Sequence, residues 1–374
     1  MPIEIKQVTT RQELKQFVRF PYQLYQHSKL WIPPLFKSEM NTLSPKTNPA
    51  FDHCKTRYLI ALKDGKIAGR IAGIINDRYC KQWEKKDARF CWFDTIDDRE
   101  VSGQLVKSIE KWALSKGMDR LVGPMGFTTF ERQGILVTGF EEMPTFSGVY
   151  NYPYYSDHME SLGYGKEIEY VEYELKVPDA VPEKIVKISN LVSERYHLRL
   201  LKLRKAKDMI PYADPVFRVI NEAYKPLYGF TVLTEKQITY FVKRYFSFVK
   251  PEFTSAVLDE NDRVVAFQFS MPSLSYALKK ARGKLFPIGW YYLLKAMRKP
   301  ERLDMLLTGV LPDYQSKGVN AVFMSHLTGA AIRNGIIYAE SNSELEENFK
   351  VQNIWRYFES RQHRRSRLYA KSLT

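Results

Sequence analysis

The chain has 374 residues, enough for about two domains, and its 44% hydrophobic content supplies packed cores rather than a disordered polymer. Its three cysteines, Cys54, Cys80 and Cys91, form no C-x-x-C pair, which argues against a disulfide framework and suits a reducing compartment. The first residues carry no apolar signal segment, and no run approaches the roughly 20 apolar residues of a membrane span, so the expected address is the cytoplasm.

The net charge of +15 is unevenly spread. Residues 1–180 hold 25 Lys/Arg against 24 Asp/Glu, whereas residues 181–374 hold 32 against 18. A field of that sign in one half draws polyanions such as CoA phosphates, anionic lipid or nucleic acid, although a basic surface also serves solubility alone.

In chain order, residues 3–8 read as a strand and 11–27 as a helix, ending at the Pro-broken Trp31-Ile32-Pro33-Pro34-Leu35. Residues 58–62 and 66–75 flank Asp64-Gly65, a hairpin signal. A strand at 89–96 is followed by an amphipathic helix at 98–116, closed by Gly117. A short strand at 121–122 leads into a long loop, then a helix at 154–162 and a strand at 169–177. After a linker near Pro178–Pro182 the order returns: strand 198–203, helix 208–223, strands 255–258 and 264–271 around an acidic turn, strand 303–310, helix 318–333, strand 336–339, helix 344–358 and strand 368–370. The same plan used twice predicts two mixed α/β (α+β) domains, 1–178 and 179–374, each a mainly antiparallel sheet flanked by helices.

The strongest local signal is the strand 303–310 running into Leu311-Pro312-Asp313-Tyr314-Gln315-Ser316-Lys317-Gly318-Val319-Asn320-Ala321. A helix N-terminus presents unpaired N–H groups and partial positive charge, and so binds phosphate. Gly318 permits close approach and Lys317 adds a full charge. The ordinary alternative is a strand–turn–helix joint of the sort any α/β protein contains.

This segment resembles motif A of the GNAT superfamily, Gln/Arg-x-x-Gly-x-Gly/Ala after a fourth strand. Gln315 and Gly318 match the first two fixed positions, and Asn320 stands where the second Gly/Ala is usual. Glu347-Asn348-Phe349-Lys350-Val351 resembles the start of the family's motif B helix, with Asn348 at its usual Asn. The resemblance implies a tandem GNAT-like protein that uses acetyl-CoA or another acyl-CoA to acylate an amine. It implies that Gln315, Ser316, Lys317, Gly318, Val319 and Asn320 hold the pyrophosphate, that Thr308 to Val310 pair with the pantetheine arm, and that Asn348 lies beside them. The first half has the plan without the motif, because Asp97, Asp98 and Glu100 crowd the corresponding helix start and would repel an anion. It resembles a degenerate GNAT domain.

Acyl transfer to an amine needs a base for the amine, a polarised carbonyl and a proton for the thiolate. Asp304 on the fourth strand is the leading base, unless it merely begins the strand at the surface beside Arg302. Glu340 and Tyr338, near the next strand, are further candidates. Counting from Asn348, the tyrosine that many family members use as acid is replaced by Trp355, and Tyr357 lies close by in sequence. The loop Gly123-Pro124-Met125-Gly126-Phe127-Thr128-Thr129-Phe130-Glu131-Arg132-Gln133-Gly134 is long enough to be functional or to pack between domains. The histidines show no metal-ligand spacing, so no metal is expected.

Two other readings stand beside the N-acyltransferase. One is long-chain acylation of a lipid amine, since a tandem chain of this length with a Gly-Pro-Met segment and an Asn-x-Pro-x-Tyr element resembles bacterial acyltransferases of the ceramide-synthase type. The other is a non-catalytic binder of CoA or a polyanion, with Arg361-Gln362-His363-Arg364-Arg365-Ser366-Arg367 as the most basic stretch; nucleic acid is the less favoured partner. Finally, residues 279–302 set eight basic residues around an aromatic, apolar stretch, 285–294. That is the composition of a peripheral membrane contact, or of a buried helix with solvated ends.

Overall fold

The computed structural model describes residues 2–201 and 203–374; Lys202, inside the expected strand 198–203, lies outside them. The first elements are β1 (Ile3–Gln7), α1 (Arg11–Leu24), α2 (Phe36–Thr42), β2 (Cys54–Lys63), β3 (Lys66–Asn76) and α3 (Asp77–Trp83). They are followed by β4 (Asp87–Thr95), α4 (Arg99–Ser115), β5 (Arg120–Gly123), β6 (Ile135–Thr138), α5 (Tyr154–Ser161) and β7 (Gly165–Lys176). Next come α6 (Glu183–Arg195), β8 (Arg199–Leu200), α7 (Ala213–Tyr224), α8 (Glu235–Tyr245), β9 (Thr254–Leu258) and β10 (Val264–Pro272). The remainder comprises α9 (Ser275–Ala281), α10 (Gly289–Arg298), β11 (Arg302–Val310), α11 (Asn320–Arg333), β12 (Tyr338–Ser341), β13 (Glu344–Leu345), α12 (Phe349–Trp355) and β14 (Ser360–Ser372).

These elements form two compact units that are not contiguous in sequence. The first comprises Met1–Val171, Ser275–Tyr292 and His363–Thr374; the second comprises Glu172–Leu274 and Leu293–Gln362. The sequence division at 178/179 therefore differs from the fold: the last strand belongs to the first unit, and so does the segment 275–292. A strand joins whichever edge satisfies its backbone groups, and chain position does not report that edge.

In the first unit the strands lie in the order β1-β2-β3-β4-β5-β14-β7. The β2–β3 hairpin turns at Asp64 and Gly65, both at positive φ (53° and 73°), as a two-residue reverse turn demands. Helix α4 buries Val101, Leu105, Ile109 and Trp112 against this sheet. Gly73 makes room for it, since a Cβ there would lie 2.7 Å from the Trp112 ring. The loop 123–134 packs inside the unit: Glu131 accepts from the Thr128 N–H (2.6 Å) and hydroxyl (2.8 Å), and Arg132 donates to the Phe146 carbonyl (2.8 Å).

In the second unit the order is β7-β12-β11-β10-β9-β8, antiparallel except for the β11/β12 pair. The expected helix 208–223 becomes a 3-10 turn, Ala206–Tyr212, followed by α7, because Pro211 cannot donate inside a helix. The expected helix 344–358 is shorter: Glu344 and Leu345 pair with β7 as β13, and α12 begins at Phe349. The expected strand 368–370 is the end of the 13-residue β14.

The basic run in β14 is largely neutralised where it stands. Arg365 and Arg367 pair with Glu169 (2.5 and 2.8 Å), and buried Arg364 donates to the carbonyls of Glu142 (2.9 Å) and Val149. Tyr369, also on β14, is fully buried in the first unit's core. Tyr369→Ala is expected to cost about 3–5 kcal/mol by leaving a cavity, read as a lower urea midpoint. Hydrogen exchange should show the lost protection in β5, which β14 pairs, rather than in β9 or β10.

Candidate active site

The site begins with a pair of strands that part. β11 and β12 run parallel, with Arg302 opposite Tyr338, Asp304 opposite Glu340 and Met305 opposite Ser341, and there the ladder stops. Asn342 closes the fork, its backbone N–H on the Met305 carbonyl (2.9 Å) and its side-chain amide on the Leu306 carbonyl (3.2 Å). On its other side β11 follows β10 to Val310, with a bulge where Leu306 is skipped between Phe269 and Ser270. Beyond Leu306, β11 thus has a partner strand on one side alone. Gly309 admits the Phe267 ring, which a Cβ would meet at 2.6 Å, and the Thr308 carbonyl accepts the Tyr224 hydroxyl (2.8 Å).

The turn after β11 is shaped for an anion. Ser316 and Gly318 both take positive φ (60° and 80°), the alternation that makes successive backbone N–H groups converge. Helix α11 then starts with no side-chain cap and no acid in its first turn, so its first N–H groups and partial positive charge are uncompensated by the chain. The Lys317 ammonium lies over the rings of Tyr196 (5.0 Å) and Tyr314 (5.2 Å). The buried Val319 contributes only backbone to this turn, while Ser316, Lys317 and Gly318 are exposed. Gln315 turns its side-chain amide onto the Val310 carbonyl (3.2 Å), so it fixes the turn. A Cβ on Gly318 would come within 3.2 Å of Ile188 and Val192, so this residue also seats α11 on α6.

The carboxylates fall on either side of the fork. Asp304 is fully buried (0%), not at the surface. Glu340, opposite it, accepts from Arg302 (2.8 Å), which also holds Glu174 (2.7 Å). Burial pushes the Glu340 carboxyl up to about 7 despite Arg302. Arg302 also lies over the Tyr338 ring, 4.6 Å from its centre. Tyr357 stands half-exposed beside the Lys184 ammonium (5.2 Å). Asn348 caps α12 with its backbone and makes no side-chain cap bond.

Three residues past β12, Glu344 was not singled out by the sequence. It accepts the indole N–H of Trp355 (3.1 Å) and lies close to Ser341, the last residue of the ladder, whose hydroxyl donates to the Asn342 carbonyl (3.0 Å). Burial pushes its carboxyl up to about 7, against the pull of Trp355 and Ser341 and with Glu172 nearby. The Trp355 side chain thus orients an acid. A glutamate in a polar stretch carries no sequence sign of burial, so nothing local marked it.

The first unit contains the same fork, filled by its own side chains. β4 and β5 pair in parallel over Asp87–Arg89 only. Past that point Phe90 accepts from the Met125 N–H (2.8 Å), and Thr95 is held at its N–H by Tyr155 (2.9 Å) and at its carbonyl by Tyr154 (2.6 Å). Asp98 caps α4 through the N–H groups of Glu100 (2.9 Å) and Val101 (3.3 Å), and pairs with Lys63.

No family model matches the chain. A protein named YghO from Escherichia coli (strain K12) is 26% identical over 378 residues, covering 99% of this chain and 95% of its own. A bacterial ceramide synthase from Caulobacter vibrioides (strain NA1000 / CB15N) is 28% identical over 322 residues, 83% of this chain and 80% of its own. Among solved structures, a tandem GNAT protein from the clavulanic acid biosynthesis pathway superposes over 100% of this chain and 99% of its own, with TM-score 0.59 and 11% identity. A GCN5-related N-acetyltransferase from Sphaerobacter thermophilus does so over 99% and 96%, with TM-score 0.53 and 9% identity. Such identities speak to fold, and the chain has, over its whole length, the fold of a tandem GNAT-like protein.

Proposed function

We propose that the chain is an acyl-CoA-dependent N-acyltransferase whose second unit takes the acyl-CoA and whose acceptor is an amine. The observation that carries the proposal is the uncapped, acid-free start of α11, reached through two left-handed residues at the parted end of β11. The backbone of Ser316 to Ala321 would hold the pyrophosphate, with Lys317 adding charge, and the edge of β11 from Thr308 to Val310 would offer its backbone N–H groups to the pantetheine arm, since the Thr308 and Val310 carbonyls already accept from Tyr224 and Gln315. The first unit's corresponding helix is capped by Asp98 whereas α11 is not, so one site per chain follows. When bound, acyl-CoA supplies an acyl group activated as a thioester.

The proposed proton acceptor is Glu344. It lies just past the end of the ladder, is oriented by Trp355, and titrates near neutrality, where a general base is most effective. Asp304 and Glu340 are buried within the paired part of the sheet, which suits contact with an acceptor poorly, and Glu340 is engaged by Arg302. The three cysteines are free, and the reading takes the cytoplasm as the address.

A second reading, transfer of a long acyl chain to a lipid amine, is favoured by the resemblance to the Caulobacter ceramide synthase. Calorimetry with acetyl-CoA and with palmitoyl-CoA separates the two readings by donor preference, and both expect a stoichiometry near one. Asn320→Asp places in α11 the acid that the first unit has in α4. It is expected to hold or raise the unfolding temperature, since an acid suits a helix start, yet to weaken CoA binding at least tenfold. Undiminished CoA affinity in that variant would remove the phosphate site from the proposal.

Glu344→Gln gives two opposed expectations. Its folded carboxyl titrates near 7 against an ordinary 4.5. The stability that this group contributes is therefore fully present below pH 4.5 and is lost as pH rises through about 7. The glutamine variant, which cannot ionise, should match the parent near pH 4.5 and exceed it by about 2–3 kcal/mol above pH 7, measured by urea unfolding across the range.

Turnover should move the other way. The same variant should lose at least a hundredfold in kcat and the limb of the pH–rate profile near 7, while CoA affinity stays within about twofold. An unchanged kcat and profile would take Glu344 out of the mechanism.

A further inference from the structure

The segment between α9 and α10 carries side chains that neither the fold nor the proposed chemistry uses. Leu285, Phe286, Ile288, Trp290, Tyr291 and Leu294 are all exposed, Phe286 to 79% and Ile288 to 56%. Tips of this kind are normally polar, and this one is apolar and tied to its neighbours at both ends. Gly283, at φ 70°, sits so tightly that a Cβ would lie 2.5 Å from the Pro34 carbonyl oxygen, and its own carbonyl accepts the Phe36 N–H (3.0 Å). Gly289 closes the other end, where a Cβ would overlap the Lys284 carbonyl oxygen at 1.9 Å. The Trp290 N–H bonds Leu285 (2.9 Å) and the Tyr291 N–H bonds Ile288 (3.1 Å), which stitches the tip to the first turn of α10. The indole N–H of Trp290 donates to the Pro287 carbonyl (2.9 Å), so the ring can leave water without losing its hydrogen bond.

The charge along this stretch of the chain has one sign. No Asp or Glu occurs from 273 to 300. Lys280, Arg282 and Lys284 precede the tip and Lys295, Arg298 and Lys299 follow it, all exposed. Lys29 is close enough to Lys279 to depress the latter's affinity for its proton, although burial is the larger cause, and it adds a further cation beside the tip. Arg302, the eighth basic residue of the stretch, is engaged by Glu174 and Glu340. On α10 the exposed face is apolar at its start (Trp290, Tyr291, Leu294) and basic at its end (Lys295, Arg298). An apolar tip flanked in sequence by cations, with aromatics where they meet, matches a surface that is apolar inside and anionic outside.

We infer that this tip docks the protein on an anionic lipid bilayer, with Phe286 and Ile288 entering the acyl boundary and the surrounding Lys and Arg meeting the headgroups. The inference stands apart from the acyl-transfer reading, since it uses none of the residues at the β11/β12 fork. The attachment is peripheral, because no helix among the described residues is long and apolar enough to cross a membrane.

The test is co-sedimentation of the full chain with phosphatidylcholine vesicles, with and without phosphatidylglycerol, at low and high salt. Binding is expected to anionic vesicles at low salt, with a blue shift of tryptophan fluorescence. The doubly substituted Phe286→Glu/Ile288→Glu chain should bind at least tenfold more weakly, and Lys284→Ala and Lys295→Ala should each cost about fivefold. Both positions are exposed, and unchanged circular dichroism and an unchanged urea midpoint will show that the variants remain folded. Absence of binding to anionic vesicles, or binding indifferent to Phe286 and Ile288, overturns the inference. So does a concentration-dependent dimer that Phe286→Glu abolishes in a protein that ignores vesicles, which would assign the tip to a second copy of the chain.

Discussion

The parallel pairing of β11 with β12 is the constraint from which the candidate site follows. Two parallel neighbours need a crossover, and here α11 supplies it. The helix must therefore begin beyond the carboxyl end of β11, the end where the two strands part. Ligands of open α/β sheets bind outside the carboxyl ends of strands for this reason: helix N–H groups and freed strand edges collect there. Glu344 reaches the same end because it follows β12 by three residues. Phosphate turn, strand edge and raised carboxyl are thus three consequences of one short ladder.

The first unit has the same ladder, and the difference between the two forks is chemical rather than topological. In one, Tyr154, Tyr155 and Met125 spend their donors and acceptors on the freed edge, and Asp98 compensates the helix. In the other, Asn342, Tyr224 and Gln315 also donate to carbonyls of the freed edge, and what is left uncompensated is the start of the helix. Polar groups that the chain satisfies internally rigidify a fold, and those left for a ligand bind it at a cost in stability of the empty protein. A pair of units can divide those roles, one serving as scaffold and the other as site.

What could be read from the sequence was local. The Asp64-Gly65 hairpin, helix α4 with its acidic start and the strand–turn–helix around Gly318 are set by residues within a few positions of one another, and the structure has each of them. The basic run 361–367 read as a candidate polyanion surface because its partners, Glu169 and the carbonyls of Glu142 and Val149, lie some two hundred residues away. Glu344 stayed invisible because its raised carboxyl depends on Trp355 and on burial, not on its neighbours in sequence. Asp304 was legible as a charged residue in an apolar strand, but its complete enclosure was not. Division of the chain near 178 followed the repeated order of elements; the return of β14 to the first sheet follows from which edges remain to be paired.

That return has a consequence for how the chain comes into being. Domains generally fold as they emerge, the N-terminal one first. Here the sheet of the first unit lacks the strand between β5 and β7 until residue 363 and its successors have been synthesised, and by then every residue of the second unit has already been made. The N-terminal sheet waits with two unpaired edges while the later-made unit is free to fold. Such edges invite pairing with other chains, so that hazard lasts until the chain is nearly complete, and the first unit's sheet is the last to be closed.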